Sequence, residues 1–292
     1  MKIALFGKEF NSEQLGYFHL LTDTLENRGC QLLVWKPFHD FLKDKITFKD
    51  NIRLFSSHTD LEGQADILFS VGGDGTMLHS VRLVRDSGIP IAGINLGRMG
   101  FLSSIPRSEI ISAADDILAM RYRIVKRTLI SLLSPDGLFP EYNHAFNEIS
   151  INKKENASMV VVHVWINDQK LHSYWADGLI IATPTGSTAY SLSCGGPILT
   201  PDSRNFVITP IAPHNLSVRP VVIPDSSLVR IRVESRDHQA LVGLDSQSAI
   251  ITPEDELVVG KAGFEINLVQ RLNDNFFSTI RAKLNWGSDI RN

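Results

Sequence analysis

The sequence predicts an α/β N-terminal domain with a mostly parallel sheet, Rossmann-like in pattern but lacking G-x-G-x-x-G, followed by a mostly β C-terminal domain. Three observations carry this. Strand-like and helix-like segments alternate over roughly the first 120 residues, the pattern of parallel strands joined by helical crossovers. Beyond Arg123 strand signals follow one another with few helices between, punctuated by turn residues. And 292 residues, 43% of them apolar, are enough for two ordinary cores. The expected boundaries are 1–123 for the first domain, with the tail 275–292 packing back on it, and 124–274 for the β-rich domain.

In the first domain Lys2–Phe6 is a short apolar strand. Asn11 offers a helix N-cap with Gln14 three residues on, Leu15, Phe18, Thr22 and Leu25 share one face, and Gly29 stops the helix. Gln31–Trp35 and Asp66–Val71 are further strands, with 36–64 too aperiodic to place. Thr76–Arg85 reads as a helix, Ile89–Leu96 as a strand and Ser108–Met120 as a helix. In the second domain Met159–Ile166 is β-rich. Val229, Ile231 and Val233 alternate with Arg230, Arg232 and Glu234, as in a half-buried strand. Leu257–Val259 and Phe264–Gln270 read as two more strands, and Phe276–Leu284 returns to helical spacing. With no repeat or flexible linker in view, the two domains are expected to lie close together.

Composition excludes several classes. A net charge of −3 gives no footprint for nucleic acid or an anionic membrane, and the densest basic stretch, Arg121–Arg127, reads as a solvated linker or strand edge. Two cysteines, Cys30 and Cys194, make neither a disulfide framework nor a zinc ligand set. No apolar run is long enough to span a membrane, and the N-terminal apolar run is too short for a secretory signal. The expectation is a soluble cytoplasmic protein without nucleic-acid or membrane partners.

Four stretches carry chemistry. In "GGDGT", Gly72, Gly73 and Gly75 surround Asp74 where a strand ends and a helix begins, with Thr76 following. Helix N-termini favour phosphate, and glycines let the backbone approach it. The competing reading makes Asp74 an N-cap and the glycines turn formers. In "YWADGLIIATPTGSTAYSLSCGGPIL", hydroxyl residues crowd among Gly186, Gly195 and Gly196, a surface that suits ribose hydroxyls and an amide-bearing base. The alternative is a capped helix in a Ser/Thr-rich loop. In "FNEISI", Asn147 and Glu148 could accept from a ribose diol and pair with a base edge, or could be the outward face of an edge strand. In "PIAPHNLSVRP", His214 reads as a structural histidine. Neither a P-loop nor metal-ligand spacing is present, and "GINLGRMGFL" (Gly93, Gly97, Gly100) reads as a turn after a strand.

Together these stretches resemble the NAD kinase family, in that family's order and over nearly the whole chain. "GGDGT" is shared with lipid and sugar-phosphate kinases; "TPTGSTAYSLS" is far more specific. The resemblance implies phosphorylation of the adenosine 2′-hydroxyl of NAD by ATP to give NADP, with Mg²⁺ carried on the ATP, in a homo-oligomer, a dimer or tetramer. It implies that 124–274 binds the dinucleotide. Asp74 would be the general base, and Gly72, Gly73, Gly75 and Thr76 the ATP-phosphate loop. Asp74, Gly75, His79, Asn147 and Glu148 would contact NAD, the last two at its adenosine half. His79 is expected about one turn along the helix from Asp74, facing the same site. Asp177 and the run Thr188, Ala189, Tyr190, Ser191, Leu192 and Ser193 would serve ribose and nicotinamide, with Ala212 and Gln247 as further contacts. Trp175 could stack on a ring or simply pack. Where the family often has Asp-Gly-Gln, this chain has Asp245-Ser246-Gln247, which raises the question of that turn's geometry. The rival readings are another kinase of the GGDGT superfamily or a non-catalytic NAD(P) sensor. The motifs do not discriminate NAD from NADH, ATP from polyphosphate, or the presence of feedback by NADP(H).

Overall fold

The computed structural model describes residues 1–49, 52–97, 100–154 and 159–285. The chain divides into two compact units: Met1–Lys126 together with the chain from Ile266, and Arg127–Glu265.

The first unit opens with β1 (Lys2–Gly7), α1 (Ser12–Asn27) and β2 (Gln31–Trp35). The expected capping box is present: Gln14 N donates to Asn11 Oδ1 at 2.9 Å and Asn11 N donates to Gln14 Oε1 at 3.0 Å. Gly29, with φ of 72°, follows the helix. The unplaced stretch supplies three short elements, α2 (Lys36–Leu42), β3 (Arg53–Phe55) and α3 (His58–Leu61), each too brief to show a period in sequence. Then come β4 (Ile67–Gly72), α4 (Asp74–Val84), β5 (Ile91–Asn95), β6 (Ile105–Pro106) and α5 (Ile110–Leu118). The single helix expected over 108–120 is a 3₁₀ turn, Arg107–Glu109, leading into α5.

These strands form a parallel sheet in the order β3-β2-β1-β4-β5. Winding reverses between β1 and β4. In such sheets ligands bind outside the carboxyl ends of the strands at that switch point. Here those ends are Gly7 and Gly72, so the fold places "GGDGT" at the expected crevice of this unit. A core of Leu5, Phe18, Leu25, Val34, Phe69, Ile94 and their neighbours holds the helices on the sheet.

The second unit contains β7 (Tyr122–Ser134), which starts in the first unit, then β8 (His144–Ala145), β9 (Glu148–Lys153), β10 (Val160–Ile166), β11 (Gln169–Ala176) and β12 (Gly178–Ala182). After the short helix α6 (Tyr190–Ser193) come β13 (Asn205–Ile211), β14 (Val221–Pro224), β15 (Val229–Glu234), β16 (Ala240–Leu244) and β17 (Gln247–Ile251). One antiparallel sheet runs β14-β13-β12-β9-β16-β17. It packs on β10, β11, β15 and the start of β18 (Leu257–Arg271) through one continuous core, with Ile151, Ile181, Phe206 and Val242 on one side and Val162, Val164, Ile231 and Val259 on the other. β18 replaces the two separate strands expected there: the small residues of Gly260–Gly263 hid one 15-residue strand. "FNEISI" is not at an edge, because β9 pairs with both β12 and β16.

β12 is buried on both faces. Leu179 and Ile181 face the sandwich core, while Ile180 and Ala182 form a smaller cluster with Val207, packed by Cys194, Leu199 and Ile211. This explains its unbroken apolar run and seats the following loop on the outer face of the sheet. Back in the first unit, the end of β18 lies parallel to β5, with Leu268 opposite Ile91, and α7 (Phe276–Leu284) follows; the tail beyond 285 falls outside the described residues. Replacing Asn11 by Ala removes the side-chain half of the capping box, the acceptor for Gln14 N, and is expected to destabilise the first unit by about 0.5–2 kcal/mol. Slowed exchange of the α1 amides to the same degree as in the parent chain would contradict this.

Candidate active site

In the first unit the site is built where β4 passes into α4. Gly72 has φ of 151°, and a side chain there would run into Thr76. Gly73 and Gly75 differ: their φ values are ordinary and a Cβ on either would meet open space. Packing does not demand glycine at 73 or 75, so their smallness serves whatever approaches from outside.

Asp74 is not the N-cap. Gly73 holds that position, without a side-chain cap. The Asp74 carboxylate instead reaches a loop 27–29 residues on, accepting from the backbone N–H of Phe101 (Oδ2, 2.8 Å), Leu102 (Oδ1, 3.1 Å) and Ser103 (Oδ1, 3.1 Å). Gly100 sits so close that any side chain there would overlap the carboxylate. "GINLGRMGFL" is thus more than a turn after a strand, although Arg98 and Met99 fall outside the described residues. A carboxylate has about four acceptor sites. Three are filled here, and one on Oδ2 is left.

His79 lies on α4 beyond the turn. Five residues from Asp74 at about 100° each place it roughly 140° around the helix. It is four from Gly75 and shares that face. Its pKa is lowered by burial, then by the charges of Lys8 and Arg82. The Thr76 backbone N–H already donates to Gly73 O at 3.0 Å.

In the second unit the loop after β12 is braced by its own hydroxyls. Thr183 Oγ1 donates to Phe146 O (2.7 Å) and accepts from Gly186 N (3.1 Å). Ser187 Oγ donates to Pro184 O (2.6 Å) and accepts from Leu199 N (2.9 Å). Ser191 Oγ pairs with Thr209 Oγ1 at 2.8 Å in the core. Thr183, Ser187 and Ser191 thus brace the loop from within. Thr188, Tyr190 and Ser193 keep partly or fully exposed side chains; Ala189 and Leu192 are half-buried. Gly186 lies against the backbone of Asn147, too close for any side chain.

Glu148 begins β9 beside this loop. It accepts from the Tyr190 backbone N–H, yet its Oε2 is buried with no partner. Burial, then the charge of Asp245, pushes its pKa up to about 8. Tyr190 and Cys194 both feel Glu148, and burial is the larger cause of their raised pKa values. Asp177 pairs with Lys153 at 2.7 Å, and its N–H donates to Ile211 O, next to Ala212, which holds φ of 44°. Gln247 Nε2 donates to Tyr142 O at 3.4 Å. His214 is exposed and joins the structure through its backbone N–H to Trp175 O, and Trp175 itself is exposed. The fold thus gathers Asn147, Glu148, Asp177, Tyr190 and Ala212 in the second unit, and the "GGDGT" residues with Phe101–Ser103 in the first.

Sequence reasoning missed two carboxylate partnerships. One is Asp74 with the loop 101–103. The other is Asp245, whose carboxylate accepts from Phe146, Asn147 and Glu148. The clustered glycines 97 and 100 were the available signal for the first. For the second it was an aspartate in a two-residue hairpin turn.

Glu148 yields a pH prediction. Its folded pKa lies above its ordinary 4.5, so the folded state holds a proton that the unfolded chain releases between 4.5 and about 8. Stability from this group is intact below 4.5 and is lost as pH rises through 8. Glu148→Gln should raise the melting temperature most above pH 8 and least below pH 4.5. A shift of equal size at both ends would show that Glu148 is not held in this way.

The chain matches two family profiles, described as the ATP-NAD kinase N-terminal domain over residues 4–122 and the ATP-NAD kinase C-terminal domain over 146–271. It is 43% identical to an NAD kinase of Cytophaga hutchinsonii and 44% identical to one of Flavobacterium psychrophilum, each alignment covering 100% of both chains. Among solved structures it is similar to yeast NADH kinase complexed with NADH, at a TM-score of 0.86 and 25% identity, covering 100% of this chain and 89% of that one.

Proposed function

The chain belongs to the ATP-NAD kinase family, and on that premise we propose how its residues divide the work. Its activity is phosphoryl transfer from ATP to NAD. The acceptor in this reading is the adenosine 2′-hydroxyl, the product is NADP, and Asp74 is the general base. The observation that carries the last point is the single acceptor site left on Asp74 Oδ2. Phe101, Leu102 and Ser103 hold the carboxylate in one orientation, which spares the reaction the cost of ordering it. A hydroxyl placed at the remaining site can pass its proton to Oδ2 as phosphoryl arrives.

The ATP phosphates are assigned to the Gly72–Thr76 turn. With Thr76 N–H engaged by Gly73 O, the N–H groups of Asp74 and Gly75 are the ones at the start of α4 that an anion would use, and the open space at Gly73 and Gly75 lets it reach them. Among the described residues no three His, Cys, Asp or Glu side chains could hold a metal ion. We assign the divalent ion to Mg²⁺ arriving with its phosphate and water ligands, where it would offset phosphate charge. Asn147 and Glu148 take the adenosine half of NAD. Asp177, Thr188, Ala189, Tyr190 and Ser193 serve ribose and nicotinamide, with Ala212 and Gln247 beside them. Ser191 and Leu192 act by holding the loop.

We also place the enzyme in the cytoplasm, as a homo-oligomer formed through the β-rich unit. β14 and β17 are edge strands of its six-stranded sheet, and open edges call for cover. A fully active monomer by light scattering would count against this assembly.

Asp74→Asn should bind both substrates and lose kcat by ~10²–10⁴. Asparagine keeps a carbonyl oxygen for two of the three loop N–H groups but cannot take the proton. If kcat survives and KM for both substrates rises together, Asp74 serves only to hold the loop.

A further inference from the structure

Asp245 opens the two-residue turn between β16 and β17 with φ of 49°. Its carboxylate accepts from the N–H of Phe146 (Oδ2, 2.7 Å), Asn147 (Oδ1, 2.9 Å) and Glu148 (Oδ1, 3.1 Å), and its own N–H donates to Glu148 O at 3.2 Å. Successive N–H groups of a regular strand point to opposite sides. Three in a row converging on one carboxylate hold the chain out of strand conformation at the point where Asn147 and Glu148 must be aimed. The opposite side of the same segment is pinned by Thr183, whose Oγ1 donates to Phe146 O and whose N–H donates to Asn147 O. The positive φ falls on Asp245 and not on Ser246, so serine can stand where the family often has glycine.

We propose that Asp245 is a positioning residue for NAD binding, one that sets the direction of Asn147 and Glu148 through their backbone and the electrostatic field at the Glu148 carboxyl. The proposal rests on the assignment of those two residues to NAD. The groups facing Glu148 are Asp245 from the β16–β17 turn and, from α6 and its end, Tyr190 and Cys194. Among these, the charge of Asp245 adds to burial in opposing ionisation of Glu148. Below about pH 8 Glu148 is thus held as a carboxylic acid, with its Oε2 buried and unpartnered.

The test is Asp245→Asn in the full chain, beside Glu148→Gln, with KM for NAD and for ATP measured over a pH series bracketing 8. In Asp245→Asn an NH₂ group replaces one acceptor and faces a loop N–H. KM for NAD is expected to rise about tenfold or more, the loss of one charge-assisted hydrogen bond, while KM for ATP stays within about twofold. The inflection of NAD affinity near pH 8 should move to lower pH in Asp245→Asn and vanish in Glu148→Gln. A raised KM with an unmoved inflection would reduce Asp245 to a brace and overturn the proposal, as would an unchanged KM for NAD. Glu148→Gln with wild-type NAD affinity at every pH would instead sink the assignment of Glu148 to NAD. Should Asp245→Asn not fold, Asp245→Gly accepts the φ of 49° without strain and removes the same charge. If neither folds, Asp245 belongs to the fold as a whole and the proposal fails.

Discussion

Backbone N–H groups at the mouth of a sheet need partners, and at two places in this chain a single carboxylate supplies three of them in succession. Asp74 gathers 101–103 and Asp245 gathers 146–148. Each of these segments lies just where a strand pattern ends or begins, so ladder pairing cannot satisfy it. A charged acceptor makes each bond stronger than an amide–amide bond. It also fixes an orientation, because the donors are not free to rotate. Both segments are thereby held in place before any ligand arrives.

The second unit applies the same economy with hydroxyls. Thr183, Ser187 and Ser191 satisfy backbone and side-chain groups inside the loop after β12, and that loop rests on a strand covered on both faces. A rigid seat leaves little ordering entropy for a ligand to oppose. It also concentrates the remaining polar groups. Glu148 keeps a buried oxygen without a protein partner beside a loop otherwise closely hydrogen-bonded, so a ligand that meets it can supply the missing bond.

Local rules were legible in the sequence. The Asn11 capping box, β2 at its true limits, α7 and the alternation of β15 all follow from residues within a turn or two of each other. So did the change from α/β to β and the four motif stretches, because composition and motif order need no tertiary information. The clamps were not legible. Asp74 reaches 27–29 residues and Asp245 reaches 97–99, and a carboxylate's partners at that distance leave no mark in local pattern. Nor could the sequence tell which hydroxyls of the run brace the loop, because exposed and internal serines look alike until packing decides. β18 was split because Gly260–Gly263 breaks periodicity without breaking the strand.

The first unit is assembled from two stretches of chain with the whole of the second unit between them. On a ribosome this reverses the usual order. When Lys126 emerges, β5 has β4 on one flank, but the strand that will lie along it near Ile91 is still unsynthesised. The β-rich unit, continuous from Arg127 to Glu265, can close first. For the time it takes to translate some 140 residues the edge of β5 near Ile91, away from its pairing with β6, is an open template. Chaperone binding during synthesis would be drawn to that edge, and a chain stopped short of Ile266 would carry it permanently.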